Sequence, residues 1–215
     1  AAPRPRDVRP PRVLEKTLDK IEAAVAGGGD YRTWAEQYKS ARQDLTVQGV
    51  RGALARRAYE GNARFALAAN DLDEFHQCQV KLRDLHALGV EDDGVLAEFA
   101  ALGALHALSI APAEATRAIA RCLSFIDDPR CAAVAALATA RARSDPFAVV
   151  RAAARCDAAA QPLVAPLLDR GRRDAFSAAL RVYAPELPVA RLHELLGFAD
   201  EPAAGDAFLA ARDVV

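Results

Sequence analysis

The sequence predicts an all-α fold, on three observations. Apolar residues recur at helical spacing, as Leu14, Leu18, Ile21 and Val25 do. No run of alternating β-branched residues appears before residue 180. Glycine and Asp-Pro signals such as Gly27-Gly28-Gly29, Asp127-Asp128-Pro129 and Ser144-Asp145-Pro146 punctuate the helical stretches. Helices must then bury against helices, and hairpins stacked in series are the natural solution. No repeat of fixed length is visible, so an irregular solenoid is expected over residues 13–160, after a leader or linker at 1–12 and before a C-terminal part at 161–215.

The first helix is expected from Val13 to Ala26, ended by the three glycines. Tyr31 to Lys39 reads as a short second helix. A long one follows from Thr46 to Ala69, with Val47, Val50, Leu54 and Ala58 on one face and Asn70 closing it. Asp71 with Glu74 has the capping-box spacing, which satisfies two free backbone donors at the start of a helix bearing Leu72, Phe75, Leu82, Leu85 and Leu88 and stopped at Gly89. Further helices are expected over 95–108, 112–125, 130–143, 147–158 and 163–183, the last broken by Pro185. Pro188 opens a short helix stopped at Gly197, Asp200 and Pro202 start another, and Val214-Val215 reads as the beginning of a strand. Helix, turn, helix, strand is the order of a winged helix, here with its wing truncated.

With 215 residues and 52% hydrophobic composition, the chain has ample material for a core. No apolar run reaches the roughly 18 residues that cross a bilayer, so no membrane partner is expected. The polar start and the absence of methionine predict an internal piece of a longer protein. Cys78, Cys122, Cys131 and Cys156 are too widely spaced for a zinc ribbon or redox motif, and each sits among alanines or leucines, so buried reduced thiols are expected. The net charge of -1 argues against a general nucleic-acid coat.

Little in the sequence carries chemistry. None of His76, His86, His106 and His193 has a partner at metal-ligand spacing on its own helical face. No nucleophile elbow or phosphate-cradling loop is present, so neither catalysis, a small-molecule substrate nor a cofactor is expected. Glu91-Asp92-Asp93 and Asp127-Asp128 lie beside helix starts, where negative charge favours the dipole. Tyr31, Trp34 and Tyr38 have the spacing of a buried face rather than a stacking platform. Arg170, Arg172 and Arg173, with Arg181 further on, form the densest basic group and are the candidate phosphate contacts. Across 188–215, Arg191 and Arg212 face Glu194, Asp200, Glu201, Asp206 and Asp213, a net charge of -3 that makes this segment a poor reader of DNA.

The run Arg42-Gln43-Asp44-Leu45-Thr46-Val47-Gln48, with Asn70-Asp71-Leu72-Asp73-Glu74-Phe75-His76-Gln77-Cys78-Gln79, resembles the paired signature of the GANP-type PCI-domain family. Gln77-Cys78-Gln79 points to the branch of leukocyte receptor cluster member eight. Val8-Arg9-Pro10 with Val13-Leu14 is similar to the family's opening motif, Tyr59-Glu60 and Arg64 to its next helix, and Arg173, Ala179-Leu180, Leu187-Pro188 and Leu195-Leu196-Gly197-Phe198 to its PCI core. Residues 109–165 match only in helical pattern. The motif positions taken as structural or interface residues are Arg42, Gln43, Asp44, Thr46, Gln48, Phe75, Gln77 and Gln79. Arg42 and Asp44 are expected between two helices, as a charged pair that sets the turn.

This resemblance implies a right-handed TPR-like solenoid ending in a winged helix. It implies a non-catalytic nuclear scaffold in mRNA export, processing and transcription, paired with a second PCI protein and, through that partner, with a small acidic peptide. RNA contact is expected to be weak for the chain alone, since three phosphates give a log-log salt slope of only about -2. The alternative is a cytoplasmic proteasome-lid or initiation-factor subunit making protein contacts only.

Overall fold

The computed structural model describes residues 8–88, 93–183 and 186–212. Among them lie eleven α-helices, two short 3-10 turns and no strand. The expected stop at Gly89, break at Pro185 and strand at Val214-Val215 lie outside the described residues. The chain divides into two compact units, residues 1–96 and 97–215.

In the first unit, α1 (Pro11–Ala26) opens on a proline whose fixed φ suits the first helical turn. It buries Leu14, Leu18 and Ile21 against Tyr38, Ala41 and Leu45 of α2 (Tyr31–Val47) and Ala58 of α3 (Ala53–Ala68). Each such leucine contributes roughly 1.5–3 kcal/mol by leaving water. Tyr38 is fully packed, Trp34 half-buried against the same cluster, and the Tyr31 ring lies 5.0 Å from Phe65, so the three aromatics do share a packed face. The expected boundary near Lys39 is corrected: α2 runs on to Val47, and what reads as one long helix from Thr46 is broken. Gly49 takes φ +68°, Gly49 N–H donates to Thr46 O and Val50 N–H to Leu45 O, closing α2 before Gly52 caps α3.

Asp71 caps α4 (Leu72–His86) by accepting from Glu74 N–H at 3.0 Å. The second half of the expected capping box is absent, because Asp71 N–H donates to Ala66 O and the Glu74 carboxylate is engaged elsewhere. Within this unit α1 packs on α2, α2 on α3 and α3 on α4, as stacked hairpins require.

The second unit takes in most of α5 (Asp93–Ser109), then α6 (Ala115–Leu123), α7 (Pro129–Ala142), α8 (Pro146–Ala153), α9 (Gln161–Val182), α10 (Val189–Leu196) and α11 (Pro202–Ala210). Asp128 and Asp145 cap α7 and α8 by accepting from Arg130 N–H and Ala148 N–H, with proline next in line. Two expected helices are shorter: the first turn at Pro112–Glu114 is 3-10, and α8 ends at Ala153 before a 3-10 turn at Ala158–Ala160. Val150, Ala175, Phe176, Ala179, Leu192, Leu196, Phe198 and Leu209 form the core that joins α8 to α11. Gly197 ends α10 at φ +72°.

Ser144 ends α7 in the left-handed region at φ 53°, with Ser144 N–H on Arg141 O and Asp145 N–H on Ala140 O. A side chain there costs roughly 1–2 kcal/mol that glycine avoids. Ser144→Gly is therefore expected to stabilise the protein by about 1 kcal/mol, raising the melting midpoint by roughly 2–4 °C; a lower midpoint in thermal melts would refute this.

Candidate functional site

Helical spacing gathers the first unit's polar motif. Arg42 on α2, Tyr59 and Asn62 on α3, and Glu74 and Cys78 on α4 all sit on inward faces. The Arg42 guanidinium, 8% exposed with its residue, pairs through Nη2 with Glu74 Oε1 and donates through Nη1 to Cys78 Sγ at 3.5 Å. Its cation lies 5.2 Å from the centre of the Tyr59 ring. Asn62, fully buried, donates to the same Glu74 oxygen at 2.8 Å and to Cys78 Sγ at 3.3 Å. Burial pushes the Cys78 thiol up to about 11, against the pull of Arg42, so it stays a neutral S–H and is no nucleophile near neutral pH. All four cysteines are buried and free.

The rest of the motif straps down Arg9, just ahead of α1. Arg9 pairs through Nε with Asp44 and donates through Nη2 to Ser40 Oγ at 2.7 Å, while Gln48 Nε2 donates to Arg9 O at 2.7 Å. Arg42 and Asp44 are thus not a pair and do not flank a turn: both lie within α2, and each takes a partner from another part of the chain. Phe75 and Gln79 are buried on α4. Gln43, Thr46 and Gln77 are exposed; with Lys39, Arg42, Val47 and Tyr59 they line an open cleft of about 500 Å³.

The second unit re-sorts the arginines. Arg172 donates through Nε to Leu196 O at 3.0 Å and through Nη2 to Gly197 O at 3.2 Å, with its cation 3.9 Å from the centre of the Phe198 ring. It satisfies the carbonyls left over at the end of α10 and serves the fold. Arg170, Arg173 and Arg181 are exposed. Arg170 and Arg181 share a cleft of about 620 Å³ with Arg141, Ser144, Asp145 and Asp174, while Arg173 does not line it. Asn62 and Arg141 are the participants that sequence reasoning missed, while Arg9 and Glu74 stood within the motif runs without their pairing to Asp44 and Arg42 being visible there. Only Asn62 carries a signal, as a polar residue on the face of α3 that otherwise buries Ala55, Ala58, Tyr59 and Ala66.

Among the described residues, no group of three or more His, Cys, Asp or Glu converges as a metal site, and no helix is long and apolar enough to cross a membrane.

Against known proteins, a family model described as the SAC3/GANP family matches residues 1–210. The chain is 34% identical over 202 residues to a Leukocyte receptor cluster member 8 homolog of Xenopus laevis, covering 93% of this chain and 25% of that protein. It is 44% identical over 106 residues to SAC3 family protein A of Arabidopsis thaliana, covering 49% of this chain and 10% of that protein. It is 38% identical over 87 residues to Protein THP3 of Saccharomyces cerevisiae, covering 39% and 18%. The chain therefore spans a quarter or less of the length of these three relatives.

Proposed function

Because this chain belongs to the SAC3/GANP family, we propose that it is the PCI portion of a non-catalytic nuclear scaffold, one that couples transcription, mRNA processing and mRNA export. In this reading it pairs with a second PCI subunit, which in turn holds a small acidic peptide, and α10 and α11 are the helices of its winged helix. The observation that carries pairing is apolar surface. Leu180, Val182, Tyr183 and Val189 are each between 41% and 72% exposed where α9 ends and α10 begins, and large apolar side chains left exposed close together in sequence supply what a protein partner covers.

Charge points the same way. The arginines of the segment are occupied: Arg191 pairs with Glu194, and Arg212 lies over the Phe208 ring and donates to Phe208 O. A protein neighbour suits such a surface better than a nucleic acid does.

The test is purification of the full-length protein from its native cells, with the co-purifying chains identified by mass spectrometry. A second PCI subunit with splicing or export factors is the expected result; proteasome-lid or initiation-factor subunits in their place would overturn the reading. Leu180→Glu with Val189→Glu is expected to abolish the pairing while shifting stability by no more than about 0.5 kcal/mol per site, as exposed positions do.

A further inference from the structure

The cleft on α9 has the form of a seat for an extended anion. Arg170, Asp174, Ser177 and Arg181 follow one another at spacings of four, three and four, which is one face of a helix, and all four line the cleft. Arg170 and Arg181 stand about 16 Å apart along the axis, too far for a single phosphate and suited to successive ones. Arg141 joins them from α7, held by its Nη1 bond to Leu108 O at 3.0 Å. Two carboxylates, Asp145 and Asp174, line the cleft as well, so the three guanidiniums leave a net charge of +1, and Asp145 is also turned to its cap by accepting from Ala148 N–H. Arg170 and Arg181 make no ion pair among the described residues. No aromatic residue lines the cleft, so nothing in it stacks on a base.

We propose that this cleft seats the phosphodiester backbone of a single nucleic-acid strand, without regard to base, through Arg141, Arg170 and Arg181. The proposal rests on the reading of the chain as an mRNA-handling scaffold and places the contact on α9 rather than on α10 and α11. Arg172, committed to the end of α10, is not among the contacts.

Fluorescence anisotropy of a short labelled RNA, and of DNA of the same sequence, with the 215-residue chain tests it. Three phosphate contacts give a log-log salt slope of about -2, roughly a 20-fold loss between 50 and 200 mM salt. Arg170→Glu with Arg181→Glu is expected to weaken binding at least about tenfold at low salt. Arg117→Glu with Arg121→Glu makes the same charge change at exposed positions of α6 outside the cleft, and is expected to weaken it much less. Both variants should melt like the parent chain. Comparable RNA and DNA binding supports a backbone seat; binding of RNA alone overturns it in favour of sugar recognition. Equal losses in the two variants overturn the site and leave RNA contact elsewhere intact. No binding of either strand overturns the proposal, while co-purification with a second PCI subunit still upholds the scaffold. Preferential binding of an acidic phosphopeptide overturns the class of ligand.

Discussion

Glu74→Ala is expected to destabilise the first unit by about 3–5 kcal/mol, the usual cost of removing one partner from a buried ion pair. One carboxylate oxygen serves both Arg42 and Asn62, and the side chains of the pair are only 9% and 17% exposed. Arg42 Nε already lacks a hydrogen-bond partner, so loss of Glu74 leaves a charge with little water to take its place. Trp34, the single tryptophan, reports this unit, and its fluorescence during denaturant unfolding measures the shift. Asp44→Ala is expected to cost only about 1 kcal/mol, because Arg9 is 31% exposed and regains hydration. Arg42→Met with Glu74→Met, which removes both charges and keeps the volume, is expected to cost less than Glu74→Ala alone. A loss from Glu74→Ala no larger than that from Asp44→Ala would show the buried pair to be dispensable.

Leu196→Ala is expected to cost about 2–5 kcal/mol in the second unit. Leu196 has no exposed surface and packs in the cluster with Val150, Ala175, Phe176, Ala179, Leu192, Phe198 and Leu209. The two alanines of α9 are backbone-fixed and have nothing to extend into the space. Gly197 next to it carries a positive φ and already meets Val150 at a distance where a Cβ would clash, which limits how far α10 can settle inward. The lost methyl groups therefore leave a cavity rather than a collapse, and the cost belongs in the upper part of that range. Ellipticity at the helical band, followed through urea unfolding, measures it; a loss below about 1 kcal/mol would mean that α10 moves to fill the gap.

What could be read from the sequence was local. Asp71 before Leu72, the prolines opening α7 and α8, and Gly197 after Leu196 act within one helical turn, and the structure has them where their chemistry puts them. The break between α2 and α3 escaped because Val47, Val50, Leu54 and Ala58 keep a helical rhythm across it; Gly49 and Gly52 were the contrary signal. The motif around Arg42 stood out as a pattern, yet its partner lies 32 residues away, a distance over which spacing says nothing about which charge meets which. Arg172 shows the same limit. Among its arginine neighbours it reads as one more surface cation, and only the fold brings it to the carbonyls of Leu196 and Gly197.

The strap at Arg9 has a kinetic meaning. Its bonds to Ser40 and Asp44 join positions 31 and 35 residues apart, so they close a loop that α1 and α2 must first have closed by docking. Loop-closure entropy is thus already spent when the strap fastens, and its energy enters on the native side of the folding barrier. An interaction formed that late leaves the rate of folding alone and slows unfolding. Arg9, Ser40, Asp44 and Gln48 are therefore expected to act as a latch, with Asp44→Ala speeding unfolding and leaving the refolding rate unchanged in stopped-flow.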